Sequence, residues 1–182
     1  MHPRPGDPAP DFTLANPYDV LVTLESVLAS GAALIEFIRG TWDPNARSRI
    51  EELLRARSDL AELGARAILI TCERPHSARL FIERGSEPVT LLVDTARETA
   101  KLFGVYQRFS YGALHVARPG SFVVDRAGYV RFAHVGRSPI DVAPARTLLD
   151  ALAKLREEER RMDATTASSR ERMHRGGHRE ER

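Results

Sequence analysis

The sequence predicts an α/β protein built on a largely parallel central sheet, and three observations carry that expectation. Two nearly unbroken apolar runs, Ala32 to Ile38 (AALIEFI) and Ala65 to Thr71 (ARAILIT), read as strands buried on both faces. Between them Ile50, Leu53, Leu54, Leu60 and Leu63 recur at helical spacing, which gives a strand-helix-strand unit with its helix across one sheet face. Further on, two β-rich runs flank Arg126-Ala127-Gly128, the pattern of a hairpin.

The elements follow in order. Residues 1 to 11 hold four prolines and read as an extended arm laid on the domain, ending in a short strand at Asp11 to Leu14. Val20 to Leu24 is a second short strand that continues into a helix through Leu28. After the strand at 32–38, a helix is expected from Pro44 to Leu63, stopped by Gly64. The strand at 65–71 leads to a helix at His76 to Gly85, a strand at Val89 to Asp94, and a helix from Thr95 to Gly104. Gln107 to Arg118 fits no pattern. The hairpin pairs Ser121–Asp125 with Tyr129–His134, and a last helix runs from Pro144 to about Arg156 with Leu148, Leu149, Leu152 and Leu155 for burial.

A chain of 182 residues with 42% apolar content suits one domain, expected over 1–156. Residues 157–182 are charged, with Met162 and Met173 as their only sizeable apolar side chains, so they are expected to form a disordered tail. The 27 basic and 25 acidic residues leave a formal charge of +2, which argues against nucleic acid as a partner. No segment approaches the roughly 20 apolar residues of a membrane span, and the N-terminus lacks the apolar core of a secretory signal. A cytoplasmic protein with no membrane partner is expected. Cys72 is the sole cysteine, which rules out an intramolecular disulfide and a cysteine-cluster metal site.

The order βαβ, further α/β, hairpin and terminal helix is the thioredoxin-like arrangement. The run Phe37 to Leu53, FIRGTWDPNARSRIEEL, is similar to the segment around the reactive cysteine in the alkyl hydroperoxide reductase and thiol-specific antioxidant superfamily, the peroxiredoxins and their relatives. Gly6 to Leu14, GDPAPDFTL, resembles that family's opening motif, and Arg118 to Asp125, RPGSFVVD, resembles the segment at its late strand. The resemblance spans about residues 6 to 155. It implies a three-layer α/β/α fold of the peroxiredoxin type with a mixed sheet, and a mechanism in which a thiolate at a helix N-terminus attacks peroxide, assisted by a hydroxyl residue and an arginine. Helix amides and a nearby cation are what lower a thiol pKa for that task.

Matched by position, the resemblance puts the reactive cysteine on Asp43, the second cysteine on Ala46 and the hydroxyl residue on Gly40; Arg118 alone survives, and Pro119 would be the family's cis proline. Gly40, Thr41, Trp42, Asp43, Ala46, Arg118 and Pro119 are therefore the positions equivalent to the family's active site. A carboxylate cannot cycle through sulfenic acid and disulfide. Two readings of Asp43 stand: an anion paired with Arg118 across the crevice, in the thiolate's place, or simply the N-cap of a helix whose first residue is Pro44.

Cys72, at the end of ILITC, is the remaining candidate for redox chemistry; the plainer reading is a small buried apolar residue. Trp42 and Phe37 either line a ligand crevice or pack in the core and at its rim. Tyr106, Phe109 and Tyr111 lie where the resemblance implies a homodimer contact, and read from the residues alone they cover the core from a surface loop. No metal site is expected: Glu73 and His76, His115, His134, and the His174–His178 pair do not assemble three ligands. No cofactor is expected either. The leading expectation is thus a peroxiredoxin-like protein that lacks the peroxidatic cysteine and binds a small anion or a protein partner at the Asp43/Arg118 crevice. The alternatives are weak thiol-dependent peroxide reduction by Cys72, and an interaction protein acting through its aromatic segment and tail.

Overall fold

The computed structural model describes the backbone of residues 1–83 and 90–176, and side chains of 1–82 and 90–165. The expected strands at Ala32–Ile38 (β3) and Ala65–Thr71 (β4) form with those bounds and pair in parallel, Ala32 beside Ala65. They lie at the centre of a seven-stranded sheet. Around them are β1 (Thr13–Ala15), β2 (Leu21–Thr23), β5 (Thr90–Val93), β8 (Gly120–Val124) and β9 (Val130–Val135), in the order β2-β1-β5-β4-β3-β8-β9. β5 is parallel to β4, whereas β8 and β9 are antiparallel, which makes the sheet mixed.

Side-chain alternation divides the core into two layers. From β3, Ala33, Ile35 and Phe37 enter one cluster with Val27 of α1 (Leu24–Leu28) and Ala100 of α5 (Glu98–Leu102). There Phe37, Phe103 and Phe122 pack ring on ring, with centroids 5.0–6.0 Å apart. Ala32, Leu34 and Ile38 face the other way. They meet Ile50 and Leu53 of α2 (Pro44–Arg55), Leu60 of α3 (Arg57–Glu62), Ala78 of α4 (Pro75–Glu83), and Leu148 and Leu152 of α6 (Ala145–Gly176). Helices cover both faces, so the three-layer α/β/α expectation holds.

The proline-rich arm lies along the β8–β9 turn, where the Gly6 and Ala9 amides donate to the carbonyls of Val130 and Gly128. Three expectations need correction, and one unassigned stretch takes a definite form. The single helix over 44–63 breaks at Ala56 (φ −82°, ψ 6°), giving α2 and α3. The helix expected from Thr95 forms only over five residues, after Arg97 turns through φ 64°. The unassigned stretch is a separate hairpin, β6 (Tyr106–Ser110) with β7 (Ala113–Ala117). Its two-residue turn, Tyr111-Gly112, has φ of 46° and 80°, so both residues are left-handed as a tight hairpin turn requires.

The last helix does not end near Arg156. It continues to Gly176, so the segment expected to be disordered is helical that far. Nothing between Ala145 and Arg175 is proline or glycine, and an exposed pair, Arg161 to Glu157 at 2.9 Å, braces the extension. The change in composition at 156 marks where burial ends rather than where the helix ends. The expected stop at Gly85, the first residue of the 89–94 strand and the His174–His178 pair lie outside the residues or side chains described.

Candidate functional site

β3 delivers Ile38 to the edge where the parallel strands end, and Arg39-Gly40-Thr41-Trp42-Asp43 turn the chain into α2. Gly40 fits because a Cβ there would collide with the Trp42 indole. Asp43, extended at φ −78° and ψ 125°, caps the helix: its Oδ1 accepts from the amides of Asn45 (2.8 Å) and Ala46 (3.3 Å), while Pro44 starts the first turn.

The same carboxylate has a second partner. Arg39 Nη1 donates to Asp43 Oδ2 at 2.6 Å, and both side chains are buried. Arg39 Nη2 reaches the β6–β7 hairpin, donating to the carbonyl of Ser110 at 2.9 Å and lying 3.5 Å from that of Tyr111. The guanidinium carbon sits 5.3 Å from the Trp42 ring centre, and Nε is buried without a partner. One cation therefore joins the helix start to a hairpin some 70 residues away in sequence.

Two further ties hold the loop. The Thr41 amide and hydroxyl both bond the Glu73 carboxylate at 3.1 Å, linking the ends of β3 and β4. Burial pushes the Glu73 carboxyl above the ordinary glutamate value, although its bonds to Thr41 and Thr71 oppose the shift. Arg47 Nε donates to the Thr41 carbonyl at 2.6 Å. Deeper in, Glu36 of β3 receives Arg49 of α2 through two bonds, 2.9 and 3.2 Å, and burial raises the Glu36 carboxyl against the pull of Arg49. Glu36, Asp43, Ala46, Pro119, Pro139 and Val142 line a recess of about 300 Å³, counting space open to solvent.

Of the residues singled out in the sequence, Gly40, Thr41, Trp42, Asp43 and Ala46 gather at the β3–α2 junction, and Pro119 lines the same recess. Arg118 is not the partner of Asp43. Its Nη2 donates to the Gly104 carbonyl at 2.9 Å, satisfying an acceptor just past α5, and Arg39 takes the carboxylate instead. The Arg118–Pro119 bond is trans, so the expected cis proline is not found. Arg39 lies within the FIRGTWDPNARSRIEEL run but carries no role in the sequence reading; the available signal was its position four residues before a capping acid.

Cys72 lies elsewhere. It packs with Ile68 and Ile70 in the cluster on the sheet face opposite α2. Burial, with the nearby Asp94 charge, pushes its thiol up to about 12, and Arg97 only partly offsets this. At neutral pH the sulfur is a buried thiol, unlike the exposed, electropositive setting of reactive cysteines. Among the described residues no three His, Cys, Asp or Glu side chains are grouped to hold a metal ion, and no helix is long and apolar enough to cross a membrane.

The fold, with a strand-helix junction of this kind beside a late β-hairpin, is that of a known family. Residues 5–133 match the family model of the AhpC/TSA family, and the chain belongs to it. Alkyl hydroperoxide reductase E of Mycobacterium tuberculosis is 28% identical over 152 residues, covering 82% of this chain and 96% of the relative. Putative peroxiredoxin bcp of Haemophilus influenzae is 29% identical over 130 residues, covering 69% and 81%. Among solved structures, peroxidoxin BcpB from M. tuberculosis superposes with a TM-score of 0.75 at 23% identity, over 83% of this chain and 97% of that one. Thiol peroxidase from Chromobacterium violaceum gives 0.70 at 25% identity, over 88% and 90%.

Two outcomes follow from this geometry. Asp43→Ala breaks a buried ion pair as well as a cap and lowers the free energy of unfolding by about 3–5 kcal/mol, with Asp43→Asn, which keeps a cap acceptor, costing less. Urea denaturation checks this; a loss of only about 1 kcal/mol for the alanine variant would reduce Asp43 to a simple cap. The folded protein at pH 8 resists alkylation by iodoacetamide at Cys72 and becomes labelled only in denaturant, as read by mass spectrometry. Rapid labelling of the native state contradicts the burial and the raised thiol.

Proposed function

We propose that this chain is a peroxiredoxin-family protein without peroxidase chemistry at the start of α2, acting there as a non-catalytic binding protein. The observation that carries the reading is chemical: the only sulfur of cysteine type is Cys72, so neither Asp43 nor Ala46, the two positions matched to the family's cysteines, offers a reducible atom. Peroxide reduction by a thiol needs a thiolate to take an oxygen atom and become sulfenic acid, and a carboxylate has no such oxidised form. In this reading Asp43 stands where the reactive cysteine stands in relatives. The helix amides that would stabilise a thiolate are spent on a permanent carboxylate.

The role left to the site is binding. Its support is the rim of exposed apolar side chains next to the crevice: Trp42 on the loop and Phe109, Tyr111 and Leu114 on the hairpin that Arg39 holds. Phe109 and Leu114 are directly paired across β6 and β7 and both stand about two-thirds exposed, which favours a protein contact, a second copy of the chain included. Redox work by Cys72 is the weaker reading, because a thiol with a pKa near 12 supplies almost no thiolate at neutral pH.

Hydrogen peroxide consumption with an external thiol tests the proposal. The parent and Cys72→Ser should both match the protein-free rate, whereas Asp43→Cys should acquire a peroxide-dependent sulfenic acid that dimedone traps. Turnover by the parent that disappears in Cys72→Ser would overturn the reading. An Asp43→Cys thiol inert to peroxide would argue against the positional match.

A further inference from the structure

We infer that the far half of α6 is a self-association surface: two copies of this chain lie antiparallel along their projecting helices, the carboxylate-rich stretch 157–163 of each against the arginine-rich stretch 170–175 of the other. This segment lies outside residues 5–133, which match the family, and it is separate from the α2 junction and the β6–β7 hairpin. The first observation is a helix that outruns its support. Leu148, Leu152 and Leu155 are buried on the sheet, whereas every described residue from Arg160 to Thr165 is exposed, Met162 to 70%. The helix nevertheless runs on to Gly176, about 24 Å past Arg160 at about 1.5 Å per residue, through Thr165-Thr166-Ala167-Ser168-Ser169. Threonine and serine are weak helix formers, and a lone helix of this length is marginal in water. Such a projection calls for a second surface to cover it.

The near end of the projection shows what that surface must carry. Between the β8–β9 turn and α6 lies a cleft of about 810 Å³, counting space open to solvent, a trough suited to a row of side chains rather than to a small ligand. Of its charged groups, Asp125 is held by Arg131 at 2.6 Å. That leaves Arg126 facing three carboxylates, Glu158, Glu159 and Asp163, which form no ion pair among the described residues. The cleft is therefore acidic, and its partner brings positive charge.

The chain itself holds the complement. Residues 157–163 carry four carboxylates against two arginines, residues 170–175 carry Arg170, Arg172 and Arg175 against Glu171 alone, and 164–169 between them carry no charge. Because α6 is one continuous helix, its own arginine end cannot turn back to the cleft, whereas that of a second copy can. A parallel pair would set carboxylate on carboxylate and arginine on arginine; an antiparallel twofold pair sets opposite charges together twice. The same register suits the apolar residues. Met162 follows Leu155 by seven positions and Met173 follows Met162 by eleven, each close to a whole number of turns, so the three positions share one stripe of the helix. With the Met162 position of one copy level with the Met173 position of the other, the twofold axis falls between Ala167 and Ser168, where no bulky residue stands in the way. This inference does not depend on whether the chain reduces peroxide.

The experiment is the mass of the full chain by analytical ultracentrifugation over a concentration series. The parent should assemble. Reversing the near end, Glu158→Arg with Glu159→Arg and Asp163→Arg, should halve the limiting mass, and so should reversing the far end, Arg170→Glu with Arg172→Glu and Arg175→Glu. An equimolar mixture of the two variants should restore the parental mass, since each then meets opposite charge. All six positions lie past Leu155, the last buried residue described in α6, so the fold is not at stake. A monomeric parent, even one whose arginines bind RNA or an acidic peptide, would overturn the inference. So would a mass that either reversal leaves unchanged, which would place the contact elsewhere, on the β6–β7 hairpin for instance, or a mixture that stays at the halved mass.

Discussion

A single buried carboxylate organises this end of the molecule. Asp43 accepts from two helix amides with one oxygen and from Arg39 with the other, and Arg39 passes the constraint on to the β6–β7 hairpin through the Ser110 carbonyl. Neither charge is tolerable alone at this depth, since an unpaired buried ion costs several kcal/mol. Together with the amides they form a nearly closed set, and the unpartnered Arg39 Nε is the one donor left over. The loop from β3 to α2, the helix start and the hairpin are therefore one unit. Thr41 with Glu73 adds a neighbouring tie from β4.

The proposed function rests on the same atoms. A helix N-terminus facing a cation is suited to an anion whatever its element, and the thiolate of a reactive cysteine and the carboxylate of an aspartate meet that requirement equally. They differ in what happens next. Sulfur can accept an oxygen atom and later be reduced; the carboxylate is chemically finished. In the proposed reading the AhpC/TSA fold keeps the electrostatics of the junction without the reaction, and a fold by itself does not transmit an activity.

How legible this was in the sequence depended on how local the cause was. β3 and β4 were readable to the residue because continuous apolar runs bounded by Gly31, Arg39 and Gly64 leave no other interpretation. The β8–β9 hairpin was readable from its glycine turn. The break at Ala56 was not, since no proline or glycine marks it and the apolar spacing runs straight through. The β6–β7 hairpin escaped because its turn uses Tyr111-Gly112 instead of the usual asparagine-glycine, and its strands expose apolar residues that spoil the alternation. At the site, Asp43 as a cap was visible from Asp-Pro alone. Its partner was not: Arg118, the arginine expected there, bonds the Gly104 carbonyl, and Arg39 from the loop itself takes the carboxylate.

The central claim is that one ion pair couples the helix start to the hairpin, and amide hydrogen exchange in Arg39→Met reads that coupling directly. Methionine keeps much of the apolar stem while removing the guanidinium. The account predicts faster exchange than in the parent both at Asn45 and Ala46 and across residues 106–117, two segments that share no strand pairing, with β3 and β4 unchanged. Acceleration confined to the helix start, with the hairpin as protected as before, would contradict it.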